Sequence, residues 1–194
     1  MSEIDSKSVQ ILDAALPVFI RFGFRKTTMA DIARAARISR ASLYLSFNSK
    51  EELFRAGSER AHAKTMNDVS VVLGRSGAIF DRINAAILTF QDGLIGPFGS
   101  SDNAKELFAA NMELARDIEV DARKRLLGLL TKALRDAEDS REIDLSALNA
   151  EPADLAALIA AAMDGIKHTH SVGAHFERGT HLFIAVLKLA TSPA

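Results

Sequence analysis

The chain contains 194 residues, of which 48% are hydrophobic and 25% are charged, and its formal net charge at pH 7 is −1. That length and apolar content are enough to bury a core, which argues against intrinsic disorder. No Cys is present, so disulfides, thiolate zinc sites and cysteine nucleophiles are excluded.

The sequence favours a cytoplasmic protein without a membrane partner. Its first residues, MSEIDSKSVQ, lack an apolar signal core. Its longest uninterrupted apolar run, Leu155–Met163, is too short to span a bilayer. A soluble intracellular location is therefore the expectation.

Charge is unevenly distributed along the chain. Residues 1–64 contain 11 Lys or Arg and 7 Asp or Glu, whereas residues 65–194 contain 13 and 18. From Arg21 to Lys50, seven of the eight charged residues are basic. A compact basic segment on an otherwise acidic protein suits the phosphate backbone of DNA.

The hydrophobic pattern is helical almost throughout, and no sustained period-two alternation indicates strands. An all-α fold of about nine helices is predicted, with the first helix ending at Gly23 as a left-handed residue. The other helices are expected at about 27–36, 39–47, 49–72, 78–95, 103–116, 118–138, 152–171 and 175–191.

Residues 28–47 have the pattern of a helix-turn-helix motif. Its first helix is expected to start at Thr27 or Thr28, with Asp31 in position for a capping interaction, and Ser39 begins its second. Small residues allow two such helices to cross closely, and the first helix supplies Ala30, Ala33 and Ala36. The second helix of such a motif enters the major groove, with its N-terminal residues at the base edges.

Several side chains of that second helix suit DNA. Arg40 can bond a guanine bidentately, and Ser39 or Ser42 can bond a base or a phosphate. Tyr44, the single tyrosine, can reach a phosphate oxygen.

Lys50 follows Ser49, the predicted N-cap of the next helix, at a position where the macrodipole disfavours a cation. A phosphate held there by backbone N–H groups and by Lys50 would account for the residue. The alternative is a solvated lysine beside Glu51 and Glu52. Next to a helix-turn-helix motif, the phosphate interpretation is preferred.

Residues 9–56 resemble the N-terminal DNA-binding domain of TetR-family transcriptional regulators. The matching pieces are ILDAA…F…GF, TTMADIA, ISRASLY and F-x-SKEEL. The resemblance implies that Thr28, Tyr44 and Lys50 contact phosphates. It also implies a set of groove-facing positions, namely Ser39, Arg40, Ala41, Ser42 and Leu45.

One DNA-binding candidate departs from the family's pattern. The family usually has Gly in the turn between the two helices, where this chain has Arg37. A non-glycine residue with positive φ is strained, at a cost of about 1 kcal/mol. Either the turn has a different shape, or a phosphate contact by Arg37 offsets the strain.

The chain is expected to divide into a DNA-binding domain, residues 1–50, and a helical domain, residues 51–194. The resemblance implies that the second domain binds a ligand and forms a homodimer. Its last two helices are apolar on more than one face, and both faces need burial. The dimer-interface candidates are Leu158, Ala162, Ile166, Phe176, Phe183 and Leu187, with a second apolar face at Leu182, Val186 and Leu189. Burial of both faces within a monomer is the alternative.

An apolar cavity between the central helices would accept a small, partly apolar effector. The candidate lining residues are Phe80, Phe90, Phe98, Phe108, Met112 and Met163. Ordinary core packing of the same residues is the alternative.

No catalytic or metal-binding constellation accompanies these features. His168 and His170 point about 200° apart on a helix and so do not form a chelating pair. No G-x-S-x-G nucleophile elbow is present. The sequence therefore predicts no enzyme and no cofactor.

The predicted function is a homodimeric DNA-binding transcriptional regulator, specifically a ligand-responsive repressor on a palindromic operator. Its partners would be double-stranded DNA, a second copy of the chain and a small-molecule effector. The alternative is a helical ligand-binding or protein-interaction module that does not use its helix-turn-helix motif on DNA.

Overall fold

A computed structural model of the chain describes residues 6–98, 102–169 and 174–193, without the side chains of residues 167–169 and 174. These residues form nine α-helices and one short 3-10 helix, Ser146–Leu148, and none of them lies in a β-strand. The helices are α1 (Ser6–Phe22), α2 (Met29–Ala35), α3 (Arg40–Tyr44), α4 (Lys50–Leu73), α5 (Ile79–Leu94), α6 (Ala104–Leu114), α7 (Arg116–Asp139), α8 (Pro152–Thr169) and α9 (Ala174–Ala190). The all-α prediction is confirmed.

Side-chain caps define the starts of α2 and α3. Thr28 Oγ1 accepts a hydrogen bond from Asp31 N at 3.2 Å, and Asp31 Oδ2 accepts one from Thr28 N at 3.1 Å. Ser39 Oγ accepts from Ser42 N at 3.0 Å. The predicted capping interaction of Asp31 is confirmed, with Thr28 as the N-cap. Each cap satisfies an N–H group that the helix itself leaves unpaired.

The chain divides into two compact units. The first unit comprises Met1–His62 and Pro97–Glu119, and the second comprises Ala63–Gly96 and Val120–Ala194. This division differs from the predicted boundary at residue 50, because the first part of α4, all of α6 and the start of α7 belong to the first unit. Helices α4 and α7 each contribute residues to both units.

The core of the first unit contains side chains from each of the helices α1, α2, α3, α4 and α6. Phe19 packs edge-on against Phe54 with 5.2 Å between ring centroids, and Phe24 contacts both rings. From α6, Leu107 and Ala110 are buried in the same apolar cluster. Helix α6 is therefore part of the structure that supports the helix-turn-helix motif.

The core of the second unit is formed by the second half of α4 with α5, α7, α8 and α9. Most of its buried side chains are large and apolar, among them Met66, Ile83, Leu130, Leu134 and Phe176. Helix α9 packs against both α5 and α8. In the described part of the chain, no helix combines the length and apolarity that crossing a bilayer requires.

Candidate nucleic-acid interface

The turn between α2 and α3 closes α2 with a Schellman motif. Ala36 is the C-cap, and Arg37 after it has a φ of 57°, in the left-handed region. Arg37 N donates to Arg34 O at 3.2 Å, and Ile38 N donates to Ala33 O at 3.0 Å. These two bonds define the motif, which usually has Gly at the left-handed position. The positive φ considered for Arg37 is confirmed, so the turn keeps its regular shape.

Helix α3 has one face in the core and the other in solvent. Leu43 and Phe47 are buried in the core of the first unit and hold the helix in place. Tyr44 lies on the solvent side and is exposed. The predicted groove-facing residues are exposed or half-buried, namely Ser39, Arg40, Ala41, Ser42 and Leu45. Local packing therefore presents these side chains outward from the unit.

Thr28, a predicted phosphate contact, is engaged as a helix cap. Its hydroxyl donates to Asp31 Oδ2 at 2.6 Å. The hydrogen bonds from Thr28 lower the pKa of Asp31, and the nearby Arg34 guanidinium adds to the effect. Because phosphate oxygens only accept hydrogen bonds, the Thr28 hydroxyl has to leave Asp31 before it donates to DNA.

Lys50 is the first residue of α4, whose N-cap Ser49 accepts a hydrogen bond from Glu52 N at 3.0 Å. The Lys50 ammonium donates to Phe24 O at 2.8 Å and to Arg25 O at 3.4 Å, and it lies 4.4 Å from the Phe24 ring centroid. These contacts tie the start of α4 to the connection between α1 and α2. An ammonium has three N–H donors, so Lys50 retains capacity for a phosphate oxygen.

Helix α6 holds the C-terminal end of α1 through two side chains. Asn103 Nδ2 donates to the carbonyl oxygens of Ile20 and Arg21, both at 3.1 Å. Glu106 Oε1 accepts from Arg25 N at 2.6 Å. Together these bonds fasten the connection that leads into α2, and with it the basic Arg25.

Gly23 makes the approach of α6 possible. Its φ is 79°, and a Cβ at this position would lie 2.7 Å from Glu106 Oε2. The sequence predicts Gly23 only as the end of α1, and nothing in its local pattern indicates this contact. Asn103 and Glu106 have capping-box spacing, yet the Asn103 side chain makes no cap bond to α6. The spacing of these two residues therefore indicates a helix cap, whereas their side chains bond the end of α1 and the connection that follows it.

Arg55 fastens α4 to the junction of α6 and α7. Its Nη1 donates to Leu114 O at 2.9 Å, and its two terminal nitrogens bond the Asp117 carboxylate at 2.6 and 2.5 Å. The hydrogen bonds from Arg55 lower the pKa of Asp117 to about 2. One turn further along α4, Ser58 Oγ donates to Asn111 Oδ1 at 2.6 Å. These bonds join α6 and the start of α7 to the helix that begins at Lys50.

The six pocket candidates are divided between the two units. Phe80 and Met163 are buried in the second-unit core, and Phe90 packs against it. In the first unit, Phe98 and Phe108 form an edge-on pair with 5.9 Å between centroids, and Met112 is 50% exposed. A cavity of about 160 Å³ in the second unit borders Phe80 alone among the six candidates.

Two of the dimer-interface candidates belong to the core of the second unit. Phe176 and Leu187 are only 2% and 5% exposed. The prediction that they meet a second copy is wrong, because their face of α9 packs on the chain's own core. Ile166 and Phe183 also pack partly against that core.

An apolar stripe of α9 nevertheless faces solvent. It is formed by Leu182, Val186 and Leu189, which are 68%, 54% and 81% exposed. On α8, Leu158 is exposed and Ala162 is half-buried. The exposed apolar surface thus lies on the second apolar face of α9, which is separate from the six interface candidates predicted from the sequence.

No three His, Asp or Glu side chains in the described part of the chain are placed to hold a metal ion. The side chains of His168 and His170 lie outside that part. His175 and His181 on α9 are exposed.

Comparison with known proteins identifies the segment that carries this interface. Residues 11–56, from α1 to the first turns of α4, match the family model "Bacterial regulatory proteins, tetR family". The uncharacterized HTH-type transcriptional regulator YfiR of Bacillus subtilis is 47% identical over 51 residues, which are 26% of this chain and 25% of YfiR. The biofilm operon icaADBC negative transcriptional regulator IcaR of Staphylococcus epidermidis is 38% identical over 50 residues, 26% of this chain and 27% of IcaR. The match thus spans about a quarter of the length of these curated relatives.

Solved structures resemble the chain over nearly its whole length. Reduced NemR of E. coli superposes with a TM-score of 0.74 at 21% identity, covering 97% of this chain and 100% of NemR. SmeT, the repressor of the Stenotrophomonas maltophilia multidrug efflux pump SmeDEF, superposes with a TM-score of 0.69 at 21% identity, covering 96% and 90%. Identity at this level shows a common fold. Residues 11–56 thus match the TetR family by sequence, and nearly the whole chain shares its fold with NemR and SmeT.

Proposed function

We propose that the protein is a DNA-binding transcriptional regulator that represses from a palindromic operator as a ligand-responsive homodimer. One observation carries the proposal: an intact helix-turn-helix motif exposes the outer face of α3 within a segment where seven of eight charges are basic. A polyanion with a groove wide enough for a helix is the partner that fits this surface.

Each exposed side chain has a distinct role in this proposal. Arg40 bonds a base edge, and Tyr44 and Lys50 contact phosphates that set the register. Arg37, which is exposed in the turn and has a left-handed backbone, supplies a further cation. Thr28 joins them once its hydroxyl exchanges Asp31 for a phosphate oxygen.

A homodimer is supported by the exposed stripe of α9. Leu182, Val186 and Leu189 follow helical spacing, so they form one continuous apolar strip. A two-fold dimer buries the same strip from both copies and presents two α3 helices to two half-sites.

Ligand response is supported by a relative and by the packing of the first unit. SmeT has been solved in complex with triclosan, with a TM-score of 0.70 at 20% identity and coverage of 97% of this chain and 93% of that chain. In the present chain an effector would act by favouring a state in which the α3 helices no longer match the half-sites. The bonds of Arg55 and Glu106 connect α6 with the DNA-facing elements and provide the route.

The alternative, a module that does not use its helix-turn-helix motif on DNA, had Arg37 as its support. Because Arg37 adopts the left-handed conformation that the turn requires, nothing in the described residues now favours that reading. Catalysis is likewise not proposed, since the family consists of transcriptional regulators.

The test begins with selection of duplexes from a random library by the purified protein, followed by gel-shift titration from 50 to 200 mM salt. We expect a palindromic site whose affinity falls steeply with salt. Arg40→Ala should flatten discrimination at one base position by about 1–3 kcal/mol, whereas Lys50→Ala should weaken all duplexes alike. Lys64→Ala, which removes an exposed lysine paired with Asp68, is the matched control and should change little. If no duplex is enriched and binding does not depend on salt, the proposed DNA-binding function is excluded.

A further inference from the structure

Leu45 is the most exposed large hydrophobic side chain in the described part of the chain, at 85%. It immediately follows α3 with helical backbone angles, φ −71° and ψ −24°. The core of the first unit is already filled from this segment by Leu43 and Phe47. Leu45 therefore contributes nothing to the fold that would explain an apolar side chain at its position.

Ala41 lies one helical turn before Leu45 and is also exposed. Residues four apart share a helix face, so Ala41 and Leu45 form a short apolar strip on α3. Arg40 and Tyr44 share the neighbouring face in the same way. The outer surface of α3 thus has a polar row and an apolar row side by side.

The charge around the strip identifies its partner. Arg40 on α3 and Arg37 in the turn before it are exposed, and Asp31, the one acidic residue between Arg21 and Lys50, is engaged with Thr28. An apolar protein surface or a membrane interior would have to desolvate these guanidinium groups. A nucleic-acid groove instead pairs them with phosphates and bases while accepting an apolar side chain between them.

The major groove offers one apolar feature to such a side chain, the C5-methyl group of thymine. We propose that the strip formed by Ala41 and Leu45 contacts a thymine methyl group in each half-site, so that Leu45 selects a 5-methylpyrimidine there. This inference rests on the proposed DNA-binding function and adds to it a residue that discriminates by an apolar contact. Arg40 discriminates by hydrogen bonding on the neighbouring face.

Replacement of thymine by uracil tests the contact, because it removes the methyl group and leaves the base pairing unchanged. In the duplex selected by the protein, each thymine is replaced in turn, symmetrically in both half-sites. At one position the replacement should weaken binding about fourfold per half-site, because that is the effect of losing one buried methyl-sized group. A 5-methylcytosine placed there should bind more tightly than cytosine by a similar factor.

The replacement of thymine by uracil and the substitution Leu45→Ala together form a double-mutant cycle. At 85% exposure the substitution should leave the melting temperature unchanged. It should weaken binding to the thymine duplex and abolish the difference between thymine and uracil at that position. Tyr44→Phe is the matched control on the neighbouring face and should retain the difference.

The outcomes separate the inference from the function on which it rests. If the unmodified selected duplex binds but every uracil replacement is neutral, the methyl contact is refuted. It is also refuted if Leu45→Ala retains the full thymine preference, because the preference then comes from DNA shape or from another residue. If no duplex binds at all, the DNA-binding proposal itself fails.

Discussion

The two units carry their functional information in different ways. In the first unit, the exposed face of α3 is specified by local signals: caps at Thr28 and Ser39, a C-cap turn at Arg37 and a cluster of basic residues. In the second unit, the surface proposed for dimerisation is marked only by apolar residues that the core does not use. Local hydrogen-bond chemistry can be read along a sequence, whereas the division of apolar residues between core and surface depends on tertiary packing.

The largest effect is expected at the proposed dimer interface of the second unit. Leu182→Glu removes an apolar contact from both copies, because the two subunits of a two-fold dimer use the same patch. Burying a Leu is worth about 1.5–3 kcal/mol, so we expect association to weaken by about 3–6 kcal/mol. Sedimentation should show a folded monomer. Gel-shift titration should show much weaker operator binding.

Leu16→Glu provides the control for that experiment, since Leu16 is a partly exposed leucine of α1 in the first unit. It should leave the oligomeric state unchanged. A Leu182→Glu protein that remains dimeric would show that the exposed stripe of α9 does not hold the copies together.

The next largest effect is expected on the free energy of unfolding, and it tests the assignment of α6 to the first unit. Leu107 of α6 is buried in the first-unit core at 1% exposure, so Leu107→Ala should lower the free energy of unfolding by about 2–5 kcal/mol. Hydrogen exchange should show the loss of protection in α1 and α2. Met112→Ala, on the exposed side of the same helix, should cost much less. Loss of protection confined to the second unit would contradict the assignment of α6.

Most of the first unit could be predicted from the sequence because its determinants lie within a few residues of one another. The cap pair of Thr28 and Asp31 spans four residues, and the Schellman turn spans six. The alternation of buried Leu43 with exposed Tyr44 and Leu45 follows from helix geometry once the core side is known. These features placed all the α3 candidates on the outer surface correctly.

The contacts that the sequence did not reveal join residues far apart in the chain. Asn103 and Glu106 have the spacing of a capping box, and only packing against α1 gives them another role. Lys50 likewise appeared as either a solvated residue or a phosphate ligand, while the structure places its ammonium on backbone carbonyls of the preceding connection. In the second unit, Phe176 and Leu182 are both apolar residues of α9, and periodicity alone does not tell which face points inward.

Arg37 offers a smaller and more selective test, because stability and DNA binding should change in opposite directions. Arg37→Gly relieves a left-handed backbone and should stabilise the protein by about 1 kcal/mol. It should also weaken operator binding and make the salt dependence shallower by about one unit of slope, through loss of a phosphate contact. Arg37→Ala is the matched control, since it removes the charge and keeps the strain. Unchanged DNA affinity in both variants would remove Arg37 from the interface.

The ion pair between Arg55 and Asp117 should give the smallest effect and should be detected through pH. The pKa of Asp117 is lowered from 3.8 to about 2 by Arg55, so the folded state favours the ionised carboxylate. Its contribution to stability is therefore complete above the unfolded-state value of 3.8, and is lost as the pH falls through 2. Urea titrations of the protein and of Asp117→Asn should differ near neutral pH and converge at about pH 2. Because both side chains are substantially exposed, 1 M salt should also reduce the difference. A difference that persists at low pH would mean that the carboxamide disturbs the packing of α4 on α7, and that charge is not what joins them.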